Sequence, residues 1–273
     1  MTARPASSRP RLPRPRKRFG QHFLEPAWVA KVVNALDARP GDTFVEIGPG
    51  RGALTSLLAP RVARLVAVEI DRDLAAHLAA SVPPHVRIVA ADFLEIDLAG
   101  LTGGEAAVRV VGNLPYNVGA PILFRLFRWS AGGAAVRDAT VMLQREVADR
   151  MLARPGTSEY GVLSVYTALH ADAARLLTLP PGAFRPPPLV TSTVIGLRFR
   201  PPPVDIGPPD VFDAIVRGTF SHRRKTLLNA LRPPADRLGR EPAALIARAN
   251  LDPAKRPGDL GLADFAALAR AVL

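Results

Sequence analysis

The chain has 273 residues, 48% hydrophobic and 22% charged, which is enough for one large domain and a small one and argues against global disorder. It contains no cysteine, which excludes disulfides, thiolate metal sites and a cysteine nucleophile, and no apolar run is long enough to span a bilayer. The formal net charge is +12, so a polyanion, nucleic acid first, is the expected partner.

The charge is uneven. Residues 1–18 hold seven of the 36 basic residues and none of the 24 acids. This arm has no apolar h-region, and Pro5, Pro10, Pro13 and Pro15 oppose the amphipathic helix of a transit peptide. It reads as a disordered, polyanion-seeking tail on a cytoplasmic protein. Next comes Lys17-Arg18-Phe19-Gly20-Gln21-His22-Phe23-Leu24, which mixes cations, aromatics and polar groups. A helix follows over about 26–36, with Trp28, Val29, Val32, Val33 and Leu36 at helical spacing.

Residues 43–47 form a strand, Gly48-Pro49-Gly50-Arg51-Gly52 a turn, and 53–59 a helix. A strand, a glycine-rich turn and a helix start make a nucleotide-type cofactor site, because the glycines admit close backbone approach and the helix amides face the ligand. The spacing Gly-x-Gly-x-Gly is that of neither a dinucleotide fingerprint nor a P-loop. The next strand, 65–70, ends near Glu69, about 20 residues beyond the glycines, where a carboxylate can accept ribose hydroxyls. A third strand, 86–90, leads to Asp92-Phe93, where Asp92 can accept from an adenine amino group. The fourth runs into Val110-Val111-Gly112-Asn113-Leu114-Pro115-Tyr116. Pro115 cannot continue the ladder and pushes Leu114 toward an extended conformation. That corner presents the Asn113 side chain, a backbone carbonyl and the Tyr116 ring together, a set suited to the exocyclic amine of a nucleobase. An isolated acid usually sits on a surface. Here the glycine turn, Glu69, Asp92 and Asn113 all fall at the carboxyl ends of successive parallel strands, the edge at which open α/β sheets bind ligands.

A helix over 121–128, a strand over 139–143, and helices over 144–151 and 161–170 follow. Strands 174–179 and 190–199 close the sheet. Between them the prolines of 180–188 stiffen a loop expected to display Phe184. The proline-rich 201–209 reads as a linker, and the remainder shows helical patterns over 211–220, 225–231, 242–249 and 263–273. Arg223, Arg224 and Lys225 form a basic turn suited to RNA phosphates.

These blocks together resemble the ribosomal small-subunit (16S) rRNA adenine-N6,N6-dimethyltransferase family. The resemblance rests on 18–24, 46–52, Glu69-Ile70-Asp71, Asn113-Leu114-Pro115-Tyr116, 143–147, 160–164, 184–190 and 224–229, and spans nearly all of the chain beyond the tail. It implies an α/β class I, Rossmann-like, S-adenosylmethionine-dependent methyltransferase sheet over 19–200 and a small all-helical C-terminal RNA-binding domain over 210–273. It implies dimethylation of N6 on two adjacent adenosines near the 3′ end of 16S rRNA in the small subunit, with S-adenosylhomocysteine as product. The implied cofactor set is His22, Leu24, Gly48, Gly50, Glu69, Ile70, Asp92, Phe93 and Asn113. Asn113, Leu114, Pro115 and Tyr116 form the implied catalytic set, and Tyr116 and Phe184 stack on the target base. The family more often has Asn where this chain has His22, and Leu189 and Thr191 also depart from its usual residues. No metal, no membrane and a monomer are expected. The rivals are the antibiotic-resistance methyltransferases of large-subunit rRNA and a non-catalytic RNA-binding assembly factor.

Overall fold

A computed structural model describes residues 22–104, 107–132 and 136–273. The basic arm and the block 17–21 lie outside the described residues.

The chain begins with a short strand, β1 (Phe23–Leu24), and helix α1 (Pro26–Ala35). Alternating strands and helices follow: β2 (Thr43–Ile47), α2 (Ala53–Leu58), β3 (Arg64–Glu69), α3 (Arg72–Ala79), β4 (Val86–Ala90), α4 (Leu98–Thr102), β5 (Val108–Asn113), α5 (Gly119–Ala131) and β6 (Val136–Gln144). Then come α6 (Arg145–Leu152), α7 (Val162–His170), β7 (Ala171–Leu179), the short β8 (Phe184–Arg185) and β9 (Ser192–Phe199). Four helices end the chain: α8 (Pro209–Phe220), α9 (Leu227–Arg237), α10 (Pro242–Arg248) and α11 (Leu262–Arg270).

Seven strands make one sheet in the order β4-β3-β2-β5-β6-β9-β7. Strands β2 to β6 pair in parallel, and β9 runs antiparallel to both β6 and β7. Strand residues alternate between two cores, as a period of two demands. Val45, Ile47, Val66, Val68, Val110 and Val141 share one core with Leu123, Leu126 and Phe127 of α5. Phe44, Leu65, Val111 and Met142 share the other with Val29, Val32 and Val33 of α1. Both faces are therefore covered, which is why these strands read as continuous apolar runs. The chain places β3 on one side of β2 and β5 on the other. That reversal opens a crevice beyond the carboxyl ends of the two central strands.

The opposite edge of the sheet is held by a buried cation. Arg109 of β5 pairs with Asp42 at 2.8 Å and with Asp138 at 2.9 Å, and it donates to the Leu36 carbonyl at 2.7 Å. The Asp138 contact explains why β6 starts several residues before the apolar run that marked it in the sequence.

The C-terminal helices build a third core around Phe212, Ile215, Leu227, Leu231 and Phe265, which also takes in Val165 and Leu169 of α7. Arg217 of α8 lies over the rings of Phe124 and Tyr166, and the Tyr166 hydroxyl donates to Asp213. Helix α9 does not stop at Leu231, where the helical pattern was expected to end. It continues through Pro233 and Pro234 to Arg237. Pro234 is buried against Gly218 of α8, where an added Cβ would sit 2.7 Å from the proline Cβ. Packing here outweighs the helix-breaking cost of about 3 kcal/mol. Among the described residues no helix is long and apolar enough to cross a membrane.

Candidate active site

A cleft of about 980 Å³, counting its open mouth, lies beyond the carboxyl ends of β2, β3, β4 and β5. The sequence-derived set His22, Leu24, Gly48, Gly50, Glu69, Ile70, Asp92, Phe93, Asn113, Leu114, Pro115 and Tyr116 all lines it. Phe184, Arg223, Arg224 and Lys225 do not.

The glycine turn is shaped by close contacts. Gly50 has φ +57°, and a Cβ there would meet the Phe23 ring at 3.0 Å. A side chain there is strained by the backbone conformation and crowds the Phe23 ring. The Gly50 amide donates to Glu69 Oε2 at 2.9 Å, and the Asp71 amide donates to Oε1 at 2.9 Å. Glu69 thus braces the turn from the next strand. Burial pushes its carboxyl above the ordinary carboxylate range, against the lowering effect of those amides. A carboxylate has about four acceptor sites, so two bonds leave capacity for a ligand. Asp92 is half-buried, and its Oδ1 accepts the Leu94 amide at 2.8 Å, a local turn that holds the carboxylate at the end of β4. Phe93 is buried in the core below the cleft, and Ile70 is 45% exposed at the rim.

Gly112 explains how β5 delivers Asn113. A Cβ at Gly112 would lie 2.8 Å from the Ile47 carbonyl, so only glycine lets β5 close onto the end of β2. Asn113 Nδ2 donates to the His22 carbonyl at 2.8 Å. Leu114 is 1% exposed and its amide donates to the Met142 carbonyl at 3.1 Å. Its side chain belongs to the core, so its own carbonyl is what it can offer a ligand. The Tyr116 hydroxyl is 2.7 Å from Ser192 Oγ on β9, and the ring is half-buried. Burial raises the Tyr116 pKa, against the Ser192 hydrogen bond. The His22 imidazole stacks on Tyr116 with centroids 5.3 Å apart and planes at 24°.

A two-stranded strap covers this side of the cleft. Phe23 pairs with Arg185 and Leu24 with Phe184, Glu25 pairs with Arg185 at 3.2 Å, and His22 Nδ1 lies 2.8 Å from the Pro186 carbonyl. This pairing corrects the expectation for Phe184. The ring is fully buried, in the core with Val29, Val33 and Val194, and is not displayed to a base. Prolines do stiffen the loop, but strand alternation sends Phe184 inward and Arg185 outward.

Sequence reasoning missed Glu46. It lies inside the apolar strand β2, 1% exposed, and lines the cleft. Its Oε2 accepts from the Thr55 hydroxyl at 2.7 Å, while Oε1 has no hydrogen-bond partner among the described residues. Burial, opposed by the Thr55 bond and reinforced by the charge of Glu69, pushes its carboxyl up to about 7. An acid within an otherwise apolar strand, two residues before the glycine turn, was the available signal. A buried, half-satisfied carboxyl is suited to a cationic ligand group. Among the described residues no cluster of His, Asp or Glu could hold a metal ion.

The basic turn lies between α8 and α9. Arg223 donates to the Thr157 carbonyl at 2.9 Å and is half-buried, while Arg224 and Lys225 are exposed.

The family described as ribosomal RNA adenine dimethylase matches residues 13–244. The chain belongs to this family. It is 44% identical over 257 residues to ribosomal RNA small subunit methyltransferase A of Acinetobacter baylyi, covering 93% of this chain and 90% of that one. It is 42% identical over 267 residues to the protein of the same name from Geobacter metallireducens, covering 95% and 96%. The fold resembles the crystal structure of a dimethyladenosine transferase from Plasmodium falciparum, with TM-score 0.73 and 23% identity over 90% of this chain and 96% of that one. The 23S rRNA methyltransferase ErmE shares it at TM-score 0.62 and 23% identity over 92% and 99%. A class I methyltransferase fold accounts for the placement of this chain's cleft at the β2–β5 crevice.

Proposed function

We propose that this protein acts in the cytoplasm on the small ribosomal subunit, transferring methyl groups from S-adenosylmethionine to N6 of two adjacent adenosines near the 3′ end of its rRNA. The observation that carries the reading is the Asn113–Leu114–Pro115–Tyr116 corner, anchored to His22 and opening into the cleft that Glu69 and Asp92 share. The residues present fit the cofactor. Glu69 and Asp92 offer acceptors for ribose hydroxyls and an adenine amine. Glu46 offers a buried, unpartnered carboxyl oxygen for a cationic group. Leu24, His22 and the glycine turn supply the walls.

When bound, the cofactor supplies an electrophilic methyl group on a sulfonium. The difficulty lies with the nucleophile, because the N6 lone pair is delocalised into the purine ring. The Asn113 Oδ1 and the Leu114 carbonyl accept the two N6 hydrogens, favouring a pyramidal nitrogen with its lone pair aimed at the methyl. Tyr116 holds the base flat, a stack worth about 1–3 kcal/mol. Extruding the base from its RNA loop costs a few kcal/mol, so the stack on Tyr116 offsets much of that cost. Rate acceleration comes from orientation and preorganised acceptors. Each transfer forms an N–C bond as the S–C bond breaks and leaves a cationic nitrogen, which loses one N6 proton to solvent. After the first transfer one N6 hydrogen remains, so one of the two acceptor bonds is given up in the second. Arg224 and Lys225 hold RNA phosphates from the helical domain, which we take as residues 210–273 joined to 19–200 through 201–209.

The test is mass spectrometry of rRNA after incubation of the protein with S-adenosylmethionine and unmodified small subunits, with naked large-subunit rRNA in parallel. Two dimethyladenosines in the small-subunit RNA are expected. Methylation of the large-subunit RNA alone, or none, would refute the assignment.

A further inference from the structure

The loop that fails to display Phe184 displays something else. Leu189 is 101% exposed and Val190 42%, while Pro188 beside them is buried. A single exposed leucine is ordinary on a protein surface. This one is held at the tip of a segment tied down at both ends to the base-binding corner. At one end the Pro186 carbonyl accepts from His22, whose ring lies on Tyr116. At the other, the Thr191 carbonyl accepts the Arg145 amide at 2.9 Å and Ser192 Oγ meets the Tyr116 hydroxyl at 2.7 Å. Leu189 precedes Ser192 by only three positions, so the tip lies within roughly 10 Å of it along the chain. That is the thickness of about three stacked bases. Pro186, Pro187 and Pro188 each fix φ, so the tip is already restricted before it meets a partner. Two exposed arginines belong to the anchors of this segment: Arg185, four residues before the tip and paired with Glu25, and Arg145, whose amide holds Thr191 and whose side chain pairs with Asp149; they are 65% and 63% exposed.

We propose that Leu189 is a wedge that enters the base stack of the rRNA loop as the target adenine leaves it. Resting on the rRNA methyltransferase reading above, the inference names a residue that governs extrusion rather than chemistry. Apolar side chains inserted between base steps are a general means of holding a stack open. The two arginines supply the phosphate contacts that bring the tip to the RNA, and the shared anchoring to Tyr116 sets the wedge and the receiving ring in one rigid frame. The aliphatic side chain needs no partner within the protein, which is consistent with its full exposure.

The experiment compares the full chain with its Leu189→Ala and Leu189→Met variants in two measurements. The first is kcat/KM on unmodified small subunits with S-adenosylmethionine saturating. The second is fluorescence of an rRNA 3′-end hairpin carrying 2-aminopurine beside the target pair, which brightens as the stack opens. Leu189→Ala is expected to lower kcat/KM about tenfold and to lose most of the fluorescence rise, with cofactor affinity and thermal midpoint unchanged. Leu189→Met, still apolar and long, is expected to restore both. Wild-type activity with Leu189→Ala equally active or equally bright would overturn the wedge alone. A loss in both variants alike would also overturn it, since shape rather than apolar insertion would then be at stake. Failure of the wild type to methylate small subunits would overturn the reading beneath it.

Discussion

Asn113 Nδ2 donates to the backbone carbonyl of His22. A carbonyl can only accept, so this bond fixes which way the carboxamide faces and leaves Oδ1 as the side chain's remaining polar atom. The bond reaches from the end of β5 to His22, the residue just before β1 of the strap. It uses the peptide oxygen of residue 22 and not its imidazole, so a change of side chain there leaves this anchor intact. The polarity is the one that methyl transfer to an amine requires, because an amine with two hydrogens to place needs acceptors.

Tyr116 separates stacking from hydrogen bonding. Tyr116→Phe loses one bond to Ser192, worth about 1 kcal/mol, and keeps the ring. It is expected to retain much of the activity, whereas Tyr116→Ala retains little. Single-turnover rates on small subunits check this. Equal losses would assign the role to the hydroxyl.

Glu46 makes stability depend on pH. Its carboxyl is raised from 4.5 to about 7 in the folded protein. Below 4.5 both folded and unfolded states hold the proton. Between 4.5 and about 7 the folded state alone holds it, so stability falls as pH rises, by up to about 3 kcal/mol in total. Glu46→Gln is therefore expected to stabilise the ligand-free protein at pH 8 and to have little effect near pH 4.5, read by denaturant unfolding. The same variant is expected to weaken S-adenosylmethionine binding, because it removes the anion. For the wild type, cofactor affinity rises with pH toward 7, with proton release measurable by calorimetry in buffers of different ionisation enthalpy.

Two cations of the basic turn are open to solvent, and the third is committed to Thr157. Arg224→Ala with Lys225→Ala is thus a cleaner probe than any change at Arg223. The pair is expected to weaken RNA binding and to flatten the plot of log affinity against log salt by about one unit for each phosphate no longer neutralised. An unchanged slope would move the RNA surface elsewhere.

Arg109 tests the frame that carries the site. It is 8% exposed and bonded to Asp42, Asp138 and two backbone carbonyls. Arg109→Ala leaves buried Asp42 and half-buried Asp138 with only the partly exposed Arg137 between them, and is expected to destabilise the fold in chemical denaturation by somewhat less than the ~3–5 kcal/mol of a fully unpaired buried charge. Cofactor binding by the molecules that remain folded is expected to be intact, since the network lies at the edge of the sheet opposite the cleft.

The cleft was legible because its residues sit at strand ends, where apolar runs stop at polar or glycine residues: Gly48, Glu69, Asp92 and Asn113 needed only strand phase to be placed together. Two residues were not legible, for opposite reasons. Glu46 is buried inside an apolar strand, and pattern alone assigns it no partner. Phe184 looked displayed because prolines surround it, but its pairing with Leu24, about 160 residues earlier, turns it into the core, and no local signal records a pairing at that range. The same distance hides the tie between His22 and Asn113, on which the orientation of the amide depends. In α9, Pro233 and Pro234 carried a local stop signal that buried packing against Gly218 overrode.

The most direct measurement is the single-turnover rate of Asn113→Ala on unmodified small subunits, with S-adenosylmethionine affinity determined separately by calorimetry. A fall of about 10²–10³ in rate is expected, of the size seen when one preorganised hydrogen-bonding group is removed, with cofactor affinity reduced far less. A variant that methylates as fast as the wild type would contradict the assignment of Asn113 as the acceptor that readies the adenine amine.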